Sequence, residues 1–227
     1  MTTERVKTAV KEFMRHNANG HGWDHVDRVC RIAEKLCAAE PAADREIVLL
    51  AALLHDCDDY KLVGKEKAEQ LLNTRKIMGE AGVEAEKQEK VCQIIRHMGY
   101  SKALKGIRPD SLEGKVVSDA DMLDAVGAVA VVRALAYTLT SGSGIVFDPE
   151  VMPEQNLSAE NYMQKKRRAD SFINHFFDKL LKLKGMMFLE ASRREAEIRQ
   201  KTMTDFLEAF FREQDLPQWQ KLLKPYR

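Results

Sequence analysis

Leu49-Leu50-Ala51-Ala52-Leu53-Leu54-His55-Asp56 is the stretch whose reading decides the fold. Six apolar residues with no polar face belong to a helix in the protein interior, and the run stops on an imidazole beside a carboxylate. A ligating or charged group at the end of a buried helix must be paired or must hold a metal, because its desolvation alone is too costly. Neighbouring helical residues point about 100° apart, so His55 and Asp56 reach one ion only at their shared edge, and further ligands have to come from other helices. The dipeptide by itself is a weak signal: 6 His and 15 Asp in 227 residues give about 0.4 such pairs by chance.

Working outward, Val6, Val10, Phe13 and Met14 recur at helical spacing before Asn17-Ala-Asn-Gly20 stops the first helix. A second helix is expected from about Asp24, read as its N-cap, with His25 in the first turn and Val26, Val29, Ile32, Ala33 and Leu36 on one face. Pro41 precedes the buried helix, placed at about 44–56. Amphipathic helices are expected at about 65–78 and 83–98, with Leu71, Leu72, Val91, Ile94 and Ile95 as core positions. From about 115 to 139, Val116, Val117, Met122, Leu123, Val126, Val129, Val132 and Leu135 leave almost no polar face, which predicts a second buried helix carrying Asp119, Asp121 and Asp124.

The stretch from Thr140 to Pro153, rich in Gly and Ser, is the candidate for a mobile flap. Beyond it, Phe172, Phe176, Leu180, Leu181 and Leu183 mark one helix, and Ile198, Met203, Phe206, Leu207, Phe210 and Phe211 another. No segment alternates as a strand. The expectation is an all-α fold of about 9 to 11 helices in one domain over 1–227, with its core at 21–139 and C-terminal helices at 158–224 packing on it.

Composition narrows the function. Lys plus Arg number 36 against 35 Asp plus Glu, a formal charge of +1, so no global field recruits nucleic acid or acidic lipid. Neither a nucleic-acid nor a membrane partner is expected. The N-terminus lacks a signal-peptide run and no stretch reaches the roughly 18 apolar residues of a membrane span, which predicts a cytoplasmic protein. Cys30, Cys37, Cys57 and Cys92 show no C-x-x-C spacing and read as reduced core thiols.

Three predicted helices offer metal-compatible groups: His25 on one, His55-Asp56 on another, Asp121 on a third. Two imidazoles with two carboxylates suit a borderline-to-hard divalent ion such as Mn, Fe, Ni, Co or Zn. Water bound to such an ion has a lowered pKa and is a nucleophile near neutral pH.

In this order, His25, His55-Asp56 and Asp121, the sequence resembles the HD-domain superfamily of metal-dependent phosphohydrolases. His21-Gly-Trp-Asp-His25-Val-Asp-Arg28-Val29 is similar to the family's HDxxHxxRV, with Gly22 where an Asp often stands. Leu53-Leu54-His55-Asp56-Cys-Asp-Asp59-Tyr-Lys61 is similar to LLHDxxDxK, and Asp119-Ala-Asp121-Met-Leu-Asp124-Ala-Val-Gly-Ala128 to DADxLDAxGA. Asn174-His175-Phe176-Phe177-Asp178-Lys179-Leu-Leu-Lys182-Leu resembles the HFxEKLLKL segment of a branch of small, stand-alone bacterial HD hydrolases. The resemblance covers about His21 to Phe211. It implies an all-helical core in which His25, His55, Asp56 and Asp121 hold one divalent cation, Mg joining the ions above. It also implies a phosphorylated small-molecule substrate, a nucleotide, cleaved as by nucleotide pyrophosphohydrolases or monophosphate phosphatases. Asp59 falls where related enzymes place the acid that positions or deprotonates the attacking water, with its neighbour Asp58 as the alternative, and Lys61 would then reach a phosphate oxygen.

The remaining cations are expected at the substrate or at the surface. His97, near a helix end, reads either as a capping imidazole favoured by the helix dipole or as a functional group, a phosphate donor ahead of a ligand to a second metal. His175, Lys179 and Lys182 are spaced to share one helical face, as a solvated edge or a phosphate clamp. Arg28 is a further substrate-binding candidate, Arg133 a clamp residue or the ion-pair partner of Asp124, and His21 a metal neighbour or a loop residue. Two other functions fit the fold: a non-catalytic nucleotide-binding regulatory module, and a di-iron oxygenase, which would need more histidines. Oligomeric state stays open, a homodimer being one option.

Overall fold

The computed structural model of the chain describes residues 2–16, 22–59, 64–140, 142–153 and 171–227. Every regular element among them is helical, as the sequence predicts. The chain divides into two compact units, Met1–Asp121 and Met122–Arg227.

In the first unit α1 (Thr2–Phe13) runs into a short 3-10 turn (Met14–His16), followed by α2 (Trp23–Ala39), α3 (Arg45–Leu54), α4 (Lys65–Gln70), α5 (Leu72–Ala81), α6 (Ala85–His97) and α7 (Tyr100–Ala103). α8 (Leu112–Asp124) begins here and ends in the second unit. α3 is the centre. α1, α2 and α6 all pack against it, and Ile47, Val48 and Leu50 to Leu54 are buried. Its N-terminus is set by Asp44, whose carboxylate accepts from Glu46 N at 2.9 Å and Ile47 N at 3.2 Å, so two of the orphan amides of the first turn are satisfied. Asp44 N in turn donates to Glu113 Oε1 at 3.0 Å, tying the start of α8 to the start of α3. A Cβ at Gly114 would stand 2.8 Å from Pro109 Cβ, so only glycine lets the first turn of α8 approach that closely.

The second unit holds α9 (Ala128–Thr140), α10 (Phe172–Asp178), a 3-10 segment (Leu180–Met186), α11 (Glu190–Glu213) and α12 (Pro217–Leu223). Its core is aromatic: Phe177, Phe211 and Trp219 are buried, and the rings of Phe211 and Trp219 lie 5.4 Å apart.

Several expectations need correction. The helix predicted over 115–139 is two helices, interrupted at residues 125–127, where Gly127 takes a φ of +97° and its Cα faces Arg199 Cβ at a distance that leaves an added Cβ only 3.0 Å. Arg199 Nη1 also donates to the Leu123 carbonyl at 2.7 Å, a second bond to an acceptor that the Val126 amide reaches at 3.2 Å. Val129 and Val132, expected in the core, are exposed. The helix predicted over 65–78 breaks at Leu71, with φ +53°, which buries Leu71 and leaves Leu72 exposed. Gly22, not Asp24, caps α2. Ile198 is exposed rather than core.

The stretch expected as a flap is pinned where it is described. Phe172 N donates to the Ile145 carbonyl at 3.0 Å, Ile173 N to the Val146 carbonyl at 3.2 Å, and Trp219 Nε1 to the Pro149 carbonyl at 3.2 Å. The cysteines are free thiols, three buried and Cys30 half-buried. Among the described residues no single helix is long and apolar enough to cross a membrane.

Candidate metal centre

α3 delivers its load at the point where it stops. His55 is the C-cap residue and donates from Nδ1 to the Ala52 carbonyl at 2.9 Å. A carbonyl can only accept, so the proton sits on Nδ1 and the lone pair of Nε2 is left for the site, the tautomer a metal ligand needs. Asp56 follows in the turn. His25 comes from the first turn of α2, where Gly22 lets His25 N reach the Gly22 carbonyl at 3.0 Å. All three are buried: His25 is 2%, His55 8% and Asp56 6% exposed.

The donor atoms converge. His25 Nε2 lies 3.2 Å from His55 Nε2, 3.4 Å from Asp56 Oδ2 and 3.5 Å from Asp121 Oδ1. His55 Nε2 lies 3.6 Å from Asp56 Oδ2 and 3.8 Å from Asp121 Oδ1. Ligands about 2.1 Å from one ion and 90–110° apart would be roughly 3.0–3.4 Å from each other. The measured edges match or slightly exceed that span. Four electron-pair donors, most of them buried, also need a positive charge among them to offset their mutual repulsion. The residues fit a divalent cation, and His25, His55 and Asp56 form a set able to hold one.

Asp121 arrives from the third turn of α8, with its side chain 29% exposed, so it forms the solvent side of the cluster. Burial works against its ionisation most strongly. The hydrogen bond with His25 and the fields of His55 and His25 outweigh that, holding the carboxyl below its usual range.

Asp58 and Asp59 separate clearly. The Asp58 carboxylate is buried and accepts from the backbone amides of Asn73 (3.0 Å) and Thr74 (2.8 Å). These are the first-turn amides of α5, whose N-cap residue Leu71 offers no side-chain acceptor. Asp58 is therefore a cap supplied across the fold. Asp59 is half-buried, with its amide donating to the Asp56 carbonyl at 3.2 Å, and its carboxylate is not used in that cap. Lys61 and His21 lie outside the described residues.

The other predicted cations are placed as follows. Arg28 Nη1 bonds Asp24 Oδ2 at 2.9 Å on the surface of α2. His97 is the last residue of α6 and donates from Nδ1 to the Gln93 carbonyl at 2.8 Å, a helix-end arrangement. It also lines a cavity of about 480 Å³ together with Ile47, Lys90 and Ser111, a cavity that His25, His55, Asp56 and Asp121 do not line. Arg133 Nη1 bonds Asp124 Oδ2 at 2.6 Å, the ion pair that was one of its two readings. His175, Lys179 and Lys182 belong to the second unit and are not all on one α-helix. α10 ends at Asp178, Lys179 departs at φ −138°, ψ −62°, and a 3-10 segment begins at Leu180. Lys182 lies within that 3-10 segment, so no single α-helix carries all three residues.

Lys102 is the residue the sequence did not single out. Its Nζ donates to the Ile95 carbonyl at 3.0 Å, and burial pushes its ammonium below the usual range while the negative charge of Asp59 pulls the other way. It therefore sits in the field of Asp59. A lysine in the polar run Ser101-Lys102-Ala103 carries no local signal of this.

Helical architecture and a His/Asp cluster joined at the end of a buried helix define a class, and comparison with known proteins agrees. The HD domain family model matches residues 22–126. YpgQ of Bacillus subtilis (strain 168) is 34% identical over 218 residues, 94% of this chain and 93% of that protein. The chain belongs to the HD domain family. Among solved structures, a Lactobacillus plantarum protein superposes with a TM-score of 0.80 at 32% identity, over 94% of this chain and 96% of its own. An HD-superfamily hydrolase from Bacillus thuringiensis does so at 0.69 and 33% identity, over 94% and 96%. B. subtilis YpgQ in complex with ADP gives 0.68 and 29%, over 93% and 97%. The chain thus has the fold and the His/Asp set of a metal-dependent hydrolase.

Proposed function

We propose that the protein is a divalent-metal-dependent phosphohydrolase acting on a nucleotide, with one HD-type domain spanning 1–227 and with His25, His55, Asp56 and Asp121 as the ligands of a single ion. The observation that carries this reading is the convergence of those four side chains from α2, the end of α3, and α8. A divalent ion there supplies a water of lowered pKa and polarises a phosphoryl oxygen. The ADP bound by YpgQ supports a nucleoside phosphate as the substrate class.

The chain's own residues divide the remaining work. His55 holds its Nε2 lone pair inward through the Nδ1 bond to Ala52. The Asp59 carboxylate takes the proton of the attacking water, since Asp58 is committed to α5. Lys61 and Lys102 are the cations that neutralise phosphate oxygens near Asp59. His175, Lys179 and Lys182 are further candidate substrate-binding cations.

The test is a screen of nucleoside mono-, di- and triphosphates with Mn, Co, Ni, Zn, Fe or Mg added, following orthophosphate and pyrophosphate separately. Metal-dependent release of either, abolished by a chelator, is the expected result. Absence of turnover with every ion and every nucleotide would remove the reading.

A further inference from the structure

Asp121 is held differently from the other three metal-compatible side chains. His25, His55 and Asp56 are all buried, whereas the Asp121 side chain is 29% exposed and its Oδ1 makes the longest edge measured in the cluster, 3.8 Å to His55 Nε2. It opens the last turn of α8, which ends at Asp124. The chain then bends by 71° over residues 125–127 to enter α9. The last carbonyls of a helix lack the partners that the interior has, and its final turn frays first. A ligand at that point is fixed only as well as the break that follows it.

The break is fastened from α11. The stem of Arg199 lies against Gly127, where an added Cβ would stand 3.0 Å from Arg199 Cβ and 3.2 Å from its Cγ. Its Nε donates to Glu195 Oε1 at 2.7 Å, and its Nη1 donates to the Leu123 carbonyl at 2.7 Å. Two bonds from a planar guanidinium fix its orientation. The Val126 amide already reaches the same carbonyl at 3.2 Å, so the guanidinium is not needed to satisfy that acceptor. What it adds is a short, charge-assisted bond from another helix, which sets where the turn lies. Arg133 secures the next residue, with Nη1 donating to Asp124 Oδ2 at 2.6 Å.

We propose that Arg199 is a positioning residue for the metal centre. By locking the Leu123 carbonyl, two residues beyond Asp121 in the same turn, it keeps the Asp121 carboxylate beside the imidazoles of His25 and His55. The inference rests on the reading of Asp121 as a ligand. Groups that orient metal ligands without touching the metal are commonly worth about 10–100-fold in metal affinity.

Mn(II) binding by the full chain tests this, read from the electron paramagnetic resonance signal of the free ion, with no substrate present. Arg199→Met keeps a stem over Gly127 and removes the donors. It should weaken Mn(II) binding by about tenfold, with the circular dichroism spectrum unchanged. Asp121→Ala should also weaken binding, and Arg199→Met added to it should weaken binding no further, because a positioning residue has no effect once the group it positions is gone. The same loss from Arg199→Met in both backgrounds would show a general structural role and overturn the proposal. Unchanged binding in Arg199→Met beside weakened binding in Asp121→Ala would overturn it as well, while leaving Asp121 a ligand. If Asp121→Ala bound Mn(II) as the wild type does, or the wild type bound none, the ligand reading would fall and the proposal with it.

Discussion

α3 and α9 are written in nearly the same alphabet and meet opposite fates. Arg-Glu-Ile-Val-Leu-Leu-Ala-Ala-Leu-Leu and Ala-Val-Ala-Val-Val-Arg-Ala-Leu-Ala-Tyr-Thr-Leu-Thr are both almost free of polar side chains. Yet α3 is buried from Ile47 onward except for half-buried Leu49, and α9 buries only Ala130 and Thr138. The difference lies in the neighbours. α1, α2 and α6 surround α3, so its terminal turn opens inside the protein and whatever it carries must be neutralised by other buried groups. Among the described residues α9 packs on α10 and α11 and leaves Val129, Val132 and Leu139 exposed. Apolarity thus states what a helix demands, and packing decides whether the demand is met within the chain.

The largest expected effect tests the claim that the end of α3 is where chemistry sits. His55→Ala or Asp56→Ala should eliminate bound metal, measured by elemental analysis after dialysis, and lower turnover on the order of 10³-fold or more. Normal rates at saturating metal in either variant would reduce α3 to a core helix with a polar end. Asp59→Asn comes next, with kcat lower by about 10²–10⁴-fold and metal content unchanged. If kcat held in that variant, proton transfer would have to be assigned to another group.

The core contrast itself is broken or sharpened by truncation. Leu54→Ala removes a fully buried side chain and should cost about 2–5 kcal/mol of folding stability. Val132→Ala, measured by urea denaturation at submicromolar protein, should stay within about 0.5 kcal/mol. Equal losses would mean that α9 is covered within the monomer, in which case the two helices differ less than their exposure indicates.

Much of this was legible before any coordinates. The apolar period located α2, α3, α6 and the aromatic core of the second unit, and the cost of burying an imidazole beside a carboxylate pointed to His55-Asp56. The order of His25, His55-Asp56 and Asp121 then brought the family resemblance. What stayed hidden was set by tertiary contacts. A run such as Val116 to Leu135 reads as one buried helix because hydropathy does not register a break that depends on Gly127 lying under Arg199. The Asp58 role depends on Leu71 adopting a left-handed conformation, which a leucine gives no reason to expect. Lys102 lies in an ordinary polar run, and only folding brings it into the field of Asp59. The helix that carries His175 ends at Asp178 and a 3-10 segment follows from Leu180, a boundary that the unbroken apolar period does not mark.

The smallest expected effect separates two neighbours that the sequence could not rank. Asp58 accepts from the amides of Asn73 and Thr74, which have no acceptor from Leu71, so Asp58→Ala leaves two first-turn donors of α5 unsatisfied. The expected cost is about 1–2 kcal/mol, read as a lower urea midpoint at unchanged slope. Asp58→Asn keeps one carbonyl oxygen in place and should recover part of that loss, because asparagine also serves as a cap. Metal content and kcat should remain near wild type in both, since the cap faces α5 and not the Nε2 atoms of His25 and His55. Loss of metal in parallel with stability would show that the turn after α3 is held in shape by its bond to α5. The cap and the cluster would then be one cooperative element, with Asp58 acting on the site by positioning Asp56.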